Sequence, residues 1–312
     1  MYIGIDLGGT NIAAALVSAE GNITKRASVP TDRHGGLDAV LGGMRSVCIE
    51  LLGGTEAPHS IGIGVPGAVN NDTGEVIFTP NLPLSGVNLA QMLRKDFGLP
   101  IYLGNDANCA ALGETIAGGA KGARNVVFIT LGTGVGGGIV IDGKLYTGVN
   151  GAAGELGHLV IISGGRECGC GRKGCWETYA SASGLNRTAI EFMRTHDKSE
   201  LWELCGGQPE KVDGRIVFAA YRDGDAAAKL AVEQYIMHLA AGAVSIINVF
   251  QPEMFCVGGG ISNAWDCFGE RLIAAIGAEV YTRTSANTAQ TKITKAALGN
   301  DAGIIGAALL GR

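Results

Sequence analysis

Cys168, Cys170 and Cys175 stand together in one Gly-rich stretch, and His158 lies ten residues before the first of them. Thiolates and a neutral imidazole are the donors zinc prefers, and four of them close a tetrahedron. Disulfides at this cysteine spacing would be strained and easily reduced. His158 is the nearest candidate for the fourth ligand; the alternative is an ordinary core histidine. With four protein ligands no position is left for water, so zinc in such a site is structural rather than a Lewis acid. Glu155 and Glu177 flank the stretch. Two carboxylates beside an imidazole suit a ligand with several hydroxyl groups, each donating a hydrogen bond. The alternative is a glycosidase acid/base pair.

Two further clusters point to phosphate. Asp6-Leu7-Gly8-Gly9-Thr10 and Gly132-Thr133-Gly134 can offer backbone N–H groups and a hydroxyl to phosphate oxygens. Asp6 can hold a magnesium ion through water. Gly258-Gly259-Gly260, directly after an apolar run, reads as a third nucleotide contact or as a tight turn. There is no Gly-x4-Gly-Lys-Ser/Thr P-loop. Gly134-x-Gly136 leads into a β-branched run where a dinucleotide fingerprint needs a helix. Asn105-Asp106 falls where a strand ends and a helix begins, and a helix N-cap is one reading of it. Beside two phosphate loops, Asp106 is also a candidate base for a substrate hydroxyl, as phosphoryl transfer requires. A glycosidase has no use for nucleotide loops, which argues against that alternative.

The elements that must carry these residues alternate between strand and helix. Strands are predicted for 2–6, 12–17, 23–30, 60–65, 100–103, 126–130, 139–141, 254–257 and 292–296. Helices are predicted for 36–52, 89–97, 107–117, from Trp176 onward, 226–250 with a break near Gly242, 265–276 and 302–310. Asp142-Gly143 is a strong hairpin turn. Leu7-Gly8 placed on Leu131-Gly132 aligns the following strands, a weak internal repeat that implies two related α/β domains with a cleft between them.

Hydrophobic content of 46% and charged content of 17% over 312 residues fit a globular protein with more than one core. A net charge of −5 argues against broad nucleic-acid or anionic-membrane binding. The apolar runs are too short for a bilayer span and no signal peptide opens the chain, so the expectation is a cytoplasmic protein with no membrane partner.

Asp6-Leu-Gly-Gly-Thr-Asn11, Gly64-Val-Pro-Gly67, Asn105-Asp-Ala-Asn108, Leu131-Gly-Thr-Gly134, Glu155-Leu-Gly-His158 and the run Cys168-Gly-Cys-Gly to Cys175-Trp-Glu177 together resemble the ROK family of repressors and sugar kinases. The likeness is greatest to its bacterial ATP-dependent glucokinases and covers nearly the whole chain. It implies an α/β, actin-like ATPase (ribonuclease H-like) fold with two domains flanking a cleft: 1–118 with the last helix at 300–312 packed back on it, and 119–299 with the zinc loop. It implies Asp106 as the general base on the 6-hydroxyl of a hexose. Sugar hydroxyls would meet Glu155, His158 and Glu177, with Asn105, Gly67, Thr79 and Asn81 helping. ATP would meet Asp6, Gly8, Gly9, Thr10, Asn11, Gly132, Thr133, Gly134, Gly258, Gly259 and Gly260. Zinc would be held by His158, Cys168, Cys170 and Cys175, and magnesium would accompany the ATP. The family's repressors carry a helix-turn-helix before the first glycine loop, and none fits before Asp6, so no nucleic-acid partner is expected. A homodimer is. The alternatives are a kinase for N-acetylmannosamine, N-acetylglucosamine, mannose, fructose or allose, a non-catalytic sugar sensor, and an actin-like scaffold.

Overall fold

A computed structural model describes residues 1–53, 57–284 and 290–312. The chain forms two compact units. One comprises Met1–Phe128, Gly137–Gly154 and Ala296–Arg312; the other comprises Ile129–Gly136 and Glu155–Lys295.

Strands β1 (Tyr2–Leu7), β2 (Asn11–Val17) and β3 (Ile23–Pro30) make an antiparallel meander. Helix α1 (Gly36–Leu52), strand β4 (Ile61–Val65), the hairpin β5 (Ala68–Asn70) and β6 (Glu75–Phe78), helix α2 (Leu89–Phe97), strand β7 (Ile101–Asn105) and helix α3 (Asp106–Ala117) follow. The sheet runs β3-β2-β1-β4-β7, with β1, β4 and β7 parallel. β4 is buried along its whole length, as expected of a parallel strand covered on both faces. Its isoleucines pack with Ile3, Ile5 and the apolar stripe of α1, Val40, Leu41, Met44 and Val47.

The same order then recurs. Strands β8 (Val126–Leu131), β9 (Val135–Ile141), β10 (Lys144–Leu145), β11 (Met254–Gly258) and β12 (Lys292–Lys295) are arranged β10-β9-β8-β11-β12. β9 and β10 are antiparallel, and β11 and β12 parallel. Moving Leu7 onto Leu131 carries β2 onto β9 end to end. Asp142 and Gly143, both at positive φ, make the tight β9–β10 turn. Two mixed five-stranded sheets with this repeated order and covering helices are the actin-like ATPase fold.

Helices α4 (Glu177–Ala180), α5 (Ala182–Met193), α6 (Leu201–Leu204), α7 (Gly214–Asp223), α8 (Ala226–Phe250) and α9 (Trp265–Glu279) lie between β10 and β12. α8 is continuous through Gly242, against the break expected from the sequence. A Cβ there would stand 2.2 Å from Cε2 of Trp176, so this glycine makes room for an indole instead of ending a helix. Among the described residues α8 is also the one helix long and apolar enough to cross a membrane, and most of it is buried inside the protein. The chain closes with α10 (Asp301–Ala308), which packs on β1, β4 and α3. That contact is backbone on backbone: a Cβ on Gly62 would lie 1.7 Å from the Ala307 carbonyl oxygen, and one on Gly4 2.0 Å from that of Ile304. No side chain fits there, which accounts for two of the glycines outside any ligand loop.

Candidate functional site

The cysteine loop is a tight turn after the short helical turn Leu156–His158. His158, Cys168, Cys170 and Cys175 bring one ligand atom each within 4.8 Å of one another. Cys170 and Cys175 sulfurs are 3.7 Å apart, and Cys168 Sγ is 3.6 Å from His158 Nδ1. A tetrahedral zinc with bonds of about 2.3 Å to sulfur and 2.0 Å to nitrogen has edges of about 3.8 and 3.5 Å. The four side chains therefore fit structural zinc in donor type, number and spacing. Nδ1 faces the thiols, while Nε2 faces Glu155, whose Oε2 is 3.9 Å away. Glu155 itself is exposed.

Three anchors tie this loop to the core. Trp176 is fully buried and its Nε1 donates to the His238 carbonyl oxygen at 2.9 Å. Arg166 lies over the Tyr179 ring and donates to Thr178 O, Gly184 O, Thr188 Oγ1 and Glu191 Oε2. Glu177 opens α4, and its Oε2 accepts the Val135 N–H at 3.0 Å. Val135 begins β9, directly after the Gly132–Gly134 turn.

That turn and the third glycine cluster share a cavity of about 610 Å³, walled by Leu131, Gly132, Thr133, Gly260, Ile261 and Phe218. Gly259, at φ +83°, sits so close to Leu131 that a Cβ would lie 2.4 Å from its backbone nitrogen. The turns after β8 and β11 thus meet at one end of their sheet, where open α/β sheets bind ligands. Gly258 ends β11 and is buried beneath them.

In the unit that holds β1, the Gly8–Asn11 turn borders a separate cavity of about 840 Å³ together with Asp6 and Asn300. Gly8 N–H donates to Asn11 O at 3.0 Å, and Thr31 Oγ1 donates to Gly8 O at 2.7 Å. Gly9 is half-buried, and Thr10 and Asn11 are exposed. The Asp6 carboxyl is pushed up to about 6, first by burial and then by the negative charge of Asp106. A half-buried carboxyl that feels the charge of a second carboxylate suits a cation, as expected for Asp6 with magnesium.

Asn105 and Asp106 divide the labour at the β7–α3 junction. Asn105 is the N-cap: its Oδ1 accepts from Ala107 N–H at 2.9 Å and Asn108 N–H at 3.1 Å. Its Nδ2 donates to Gly67 O at 3.0 Å. Asp106 is the first helical residue, with an exposed carboxylate favoured by the helix dipole. Gly67, at φ +122°, touches the end of β6, where a Cβ would meet Phe78 O at 2.1 Å. Thr79 is buried, and its hydroxyl closes the turn to Leu82, leaving Asn81 exposed on that turn. Asp106, Asn105, Gly67 and Thr79 are thus neighbours in one corner.

Residues 2–312 match the ROK family. The chain belongs to the ROK family. It is 38% identical to a glucokinase from Thermotoga maritima, over 98% of this chain and 95% of that one. It is 32% identical to an N-acetyl-D-glucosamine kinase from Pectobacterium atrosepticum, over 99% and 98%. The structure of a ROK glucokinase from Streptomyces griseus, in complex with glucose and AMPPNP, superposes with a TM-score of 0.81 at 33% identity, covering 98% of this chain and 97% of that one.

One wall of the 610 Å³ cavity of this ROK protein was not legible in the sequence. Asp213, Arg215, Phe218 and Arg222 come from α7 and its cap, far along the chain from Gly132. Arg222 pairs with Asp266 at 2.9 Å, and Arg215 with Asp213 at 2.8 Å. A local signal existed: Asp213 accepts from Arg215 and Ile216 N–H, the N-cap pattern that announces a helix.

Proposed function

We propose that this protein transfers the γ-phosphoryl group of ATP to the 6-hydroxyl of glucose, giving glucose 6-phosphate and ADP. The observation that carries the reading is Asp106. Asn105 caps the helix, Asp106 Oδ1 shares the Ala107 N–H at 2.9 Å, and Asp106 at the first helical position is exposed at the strand end. In this reading Asp106 takes the proton of the 6-hydroxyl as that oxygen attacks the γ-phosphorus. The bond from the γ-phosphorus to the β–γ bridging oxygen breaks, and ADP leaves. Glu155, the Nε2 side of His158 and Glu177 face the remaining hydroxyls, with Asn105, Gly67 and Asn81. Thr79 contributes through the turn it closes. The amides of Gly9 and Thr10 and of Thr133 and Gly134 bind phosphate oxygens, helped by the Asn11 and Thr133 side chains, while the Gly8 and Gly132 amides close the two turns on Asn11 O and Gly134 O. Gly260 and the α7 wall receive the nucleoside, while Gly258 and Gly259 only shape the turn beneath it.

Asp6 would hold the magnesium that neutralises phosphate charge when bound. His158, Cys168, Cys170 and Cys175 would hold zinc, which supplies no chemistry of its own but locks the imidazole's orientation. Three thiolates need a reducing compartment, which favours the cytoplasm. A homodimer completes the proposal, and light scattering tests it.

The deciding experiment is Asp106→Asn. Turnover should fall about 10²–10⁴-fold while glucose still binds. Near wild-type turnover overturns the assignment of the base. The 32% identity to an N-acetyl-D-glucosamine kinase supports a second reading, another hexose at the same site. Comparing kcat/KM across a sugar panel decides between them.

A further inference from the structure

The phosphate turn and the cysteine loop meet at Glu177. Its Oε2 accepts Val135 N–H at 3.0 Å, and a Cβ on Gly134 would come within 2.2 Å of the same oxygen. Its Oε1 lies 3.8 Å from Cys168 Sγ, which in turn is 3.6 Å from His158 Nδ1. The residues just beyond Glu177 hold the turn too. Ala182 N–H donates to Gly132 O at 2.8 Å, and Ser183 Oγ to Thr133 O at 3.0 Å. From the other side Gly157, next to the ligand His158, packs so close that a Cβ would meet Val135 O at 2.3 Å.

We infer that Glu177 is a positioning residue that couples the metal cluster to the Gly132–Gly134 turn, so that zinc in the cluster tightens nucleotide binding. The inference rests on the phosphoryl-transfer reading above. A hydrogen bond from a backbone N–H to a carboxylate is roughly twice as strong as a neutral one. Glu177 is two residues past Cys175, so ligation that immobilises Cys168 and Cys175 also immobilises the carboxylate. A fixed carboxylate fixes the Val135 N–H, and with it the direction of the amides that precede it. A carboxylate serving only as a sugar ligand needs no bond to β9. Linkage then demands the reverse effect: nucleotide must tighten zinc by the same factor.

The test is calorimetric titration of magnesium-AMPPNP, without sugar, into zinc-loaded and chelator-treated protein. Removing zinc from the wild type, or substituting Glu177→Ala, should weaken AMPPNP binding about tenfold. In Glu177→Ala the effect of zinc on nucleotide affinity should vanish. Glu177→Gln keeps an oxygen for Val135 N–H and should retain most of the affinity. In the wild type AMPPNP should slow the transfer of zinc to a chromophoric chelator. Glu177→Ala protein that binds AMPPNP like the wild type while losing glucose overturns the inference. So does folded, zinc-free wild type with unchanged AMPPNP affinity, which decides the matter if Glu177→Ala does not fold. Wild type that binds no AMPPNP at all overturns the phosphoryl-transfer reading itself, and this inference with it.

Discussion

The Trp176 indole lies against Gly242 in the middle of α8, and a Cβ at that glycine would come within 2.2 Å of Cε2. Trp176 sits between Cys175 and Glu177, so the cysteine loop is pinned directly to the long helix α8. Gly242→Ala should push the indole away and cost about 1–3 kcal/mol of stability, although alanine is the better helix former. Zinc should also leave faster. Thermal unfolding and zinc release to a chelator check the two effects, and an unchanged or raised Tm refutes the first.

Glu114 is fully buried, yet its carboxylate is fully employed. It accepts N–H groups from Gly119 at 2.6 Å, Ala297 at 2.9 Å and Leu298 at 2.8 Å, fastening the segment before α10 to α3. Glu114→Ala removes the shared acceptor of three N–H groups on half-buried or exposed residues, a loss of about 0.5–1.5 kcal/mol for each bond. We expect a loss of about 2–4 kcal/mol in urea unfolding. Glu114→Gln, which keeps one good acceptor, should lose less.

Asp6 makes stability depend on pH. Its carboxyl titrates at about 6 in the folded protein against 3.8 ordinarily, so the folded state holds the proton longer than the unfolded chain. Stability must then fall as pH rises from about 4 to about 6, and the cost is fully present above that. Asp6→Asn should stabilise nucleotide-free protein at pH 7.5 by up to about 3 kcal/mol, with no gain at pH 4. In Asp106→Asn the Asp6 carboxyl should titrate lower, because one of its two causes is gone. If Asp6 holds the magnesium of the nucleotide, affinity for magnesium-ATP should drop below pH 6, as calorimetry across pH 5–8 would show.

Cys170 is the exposed member of the metal cluster. Cys170→Ser should reduce bound zinc from about one per chain and raise the glucose Kd, because His158 loses the ligation that orients it. Metal analysis and calorimetry read the two quantities. Normal glucose affinity in folded, zinc-free protein refutes the link between metal and sugar.

Local chemistry is what the amino-acid order determined alone. The metal ligands lie within one short segment, and donor type and spacing identify such a site without any long-range contact. The strand–glycine–strand repeat was legible because Leu7 and Leu131 start turns of the same length. The Asn105-Asp106 pair was legible as a strand-to-helix junction, because capping is a property of neighbouring residues.

Three things waited for the tertiary structure, and all depend on residues distant in sequence. Gly242 reads as a helix breaker until Trp176 is seen occupying its missing side chain. Gly4 and Gly62 fall inside predicted strands with no reason to be glycine until α10 is seen lying on their backbones. Phe218 and Arg222 carry no motif, and only the packing of α7 brings them to the turns after β8 and β11. Glu177 belongs to both classes: its place beside the cysteines is written in the sequence, but its bond to Val135 exists only because β9 and α4 are folded together. Periodicity and spacing report on neighbours along the chain, whereas close backbone approach and shared cavities are set by which elements pack, and that is decided by the whole core at once.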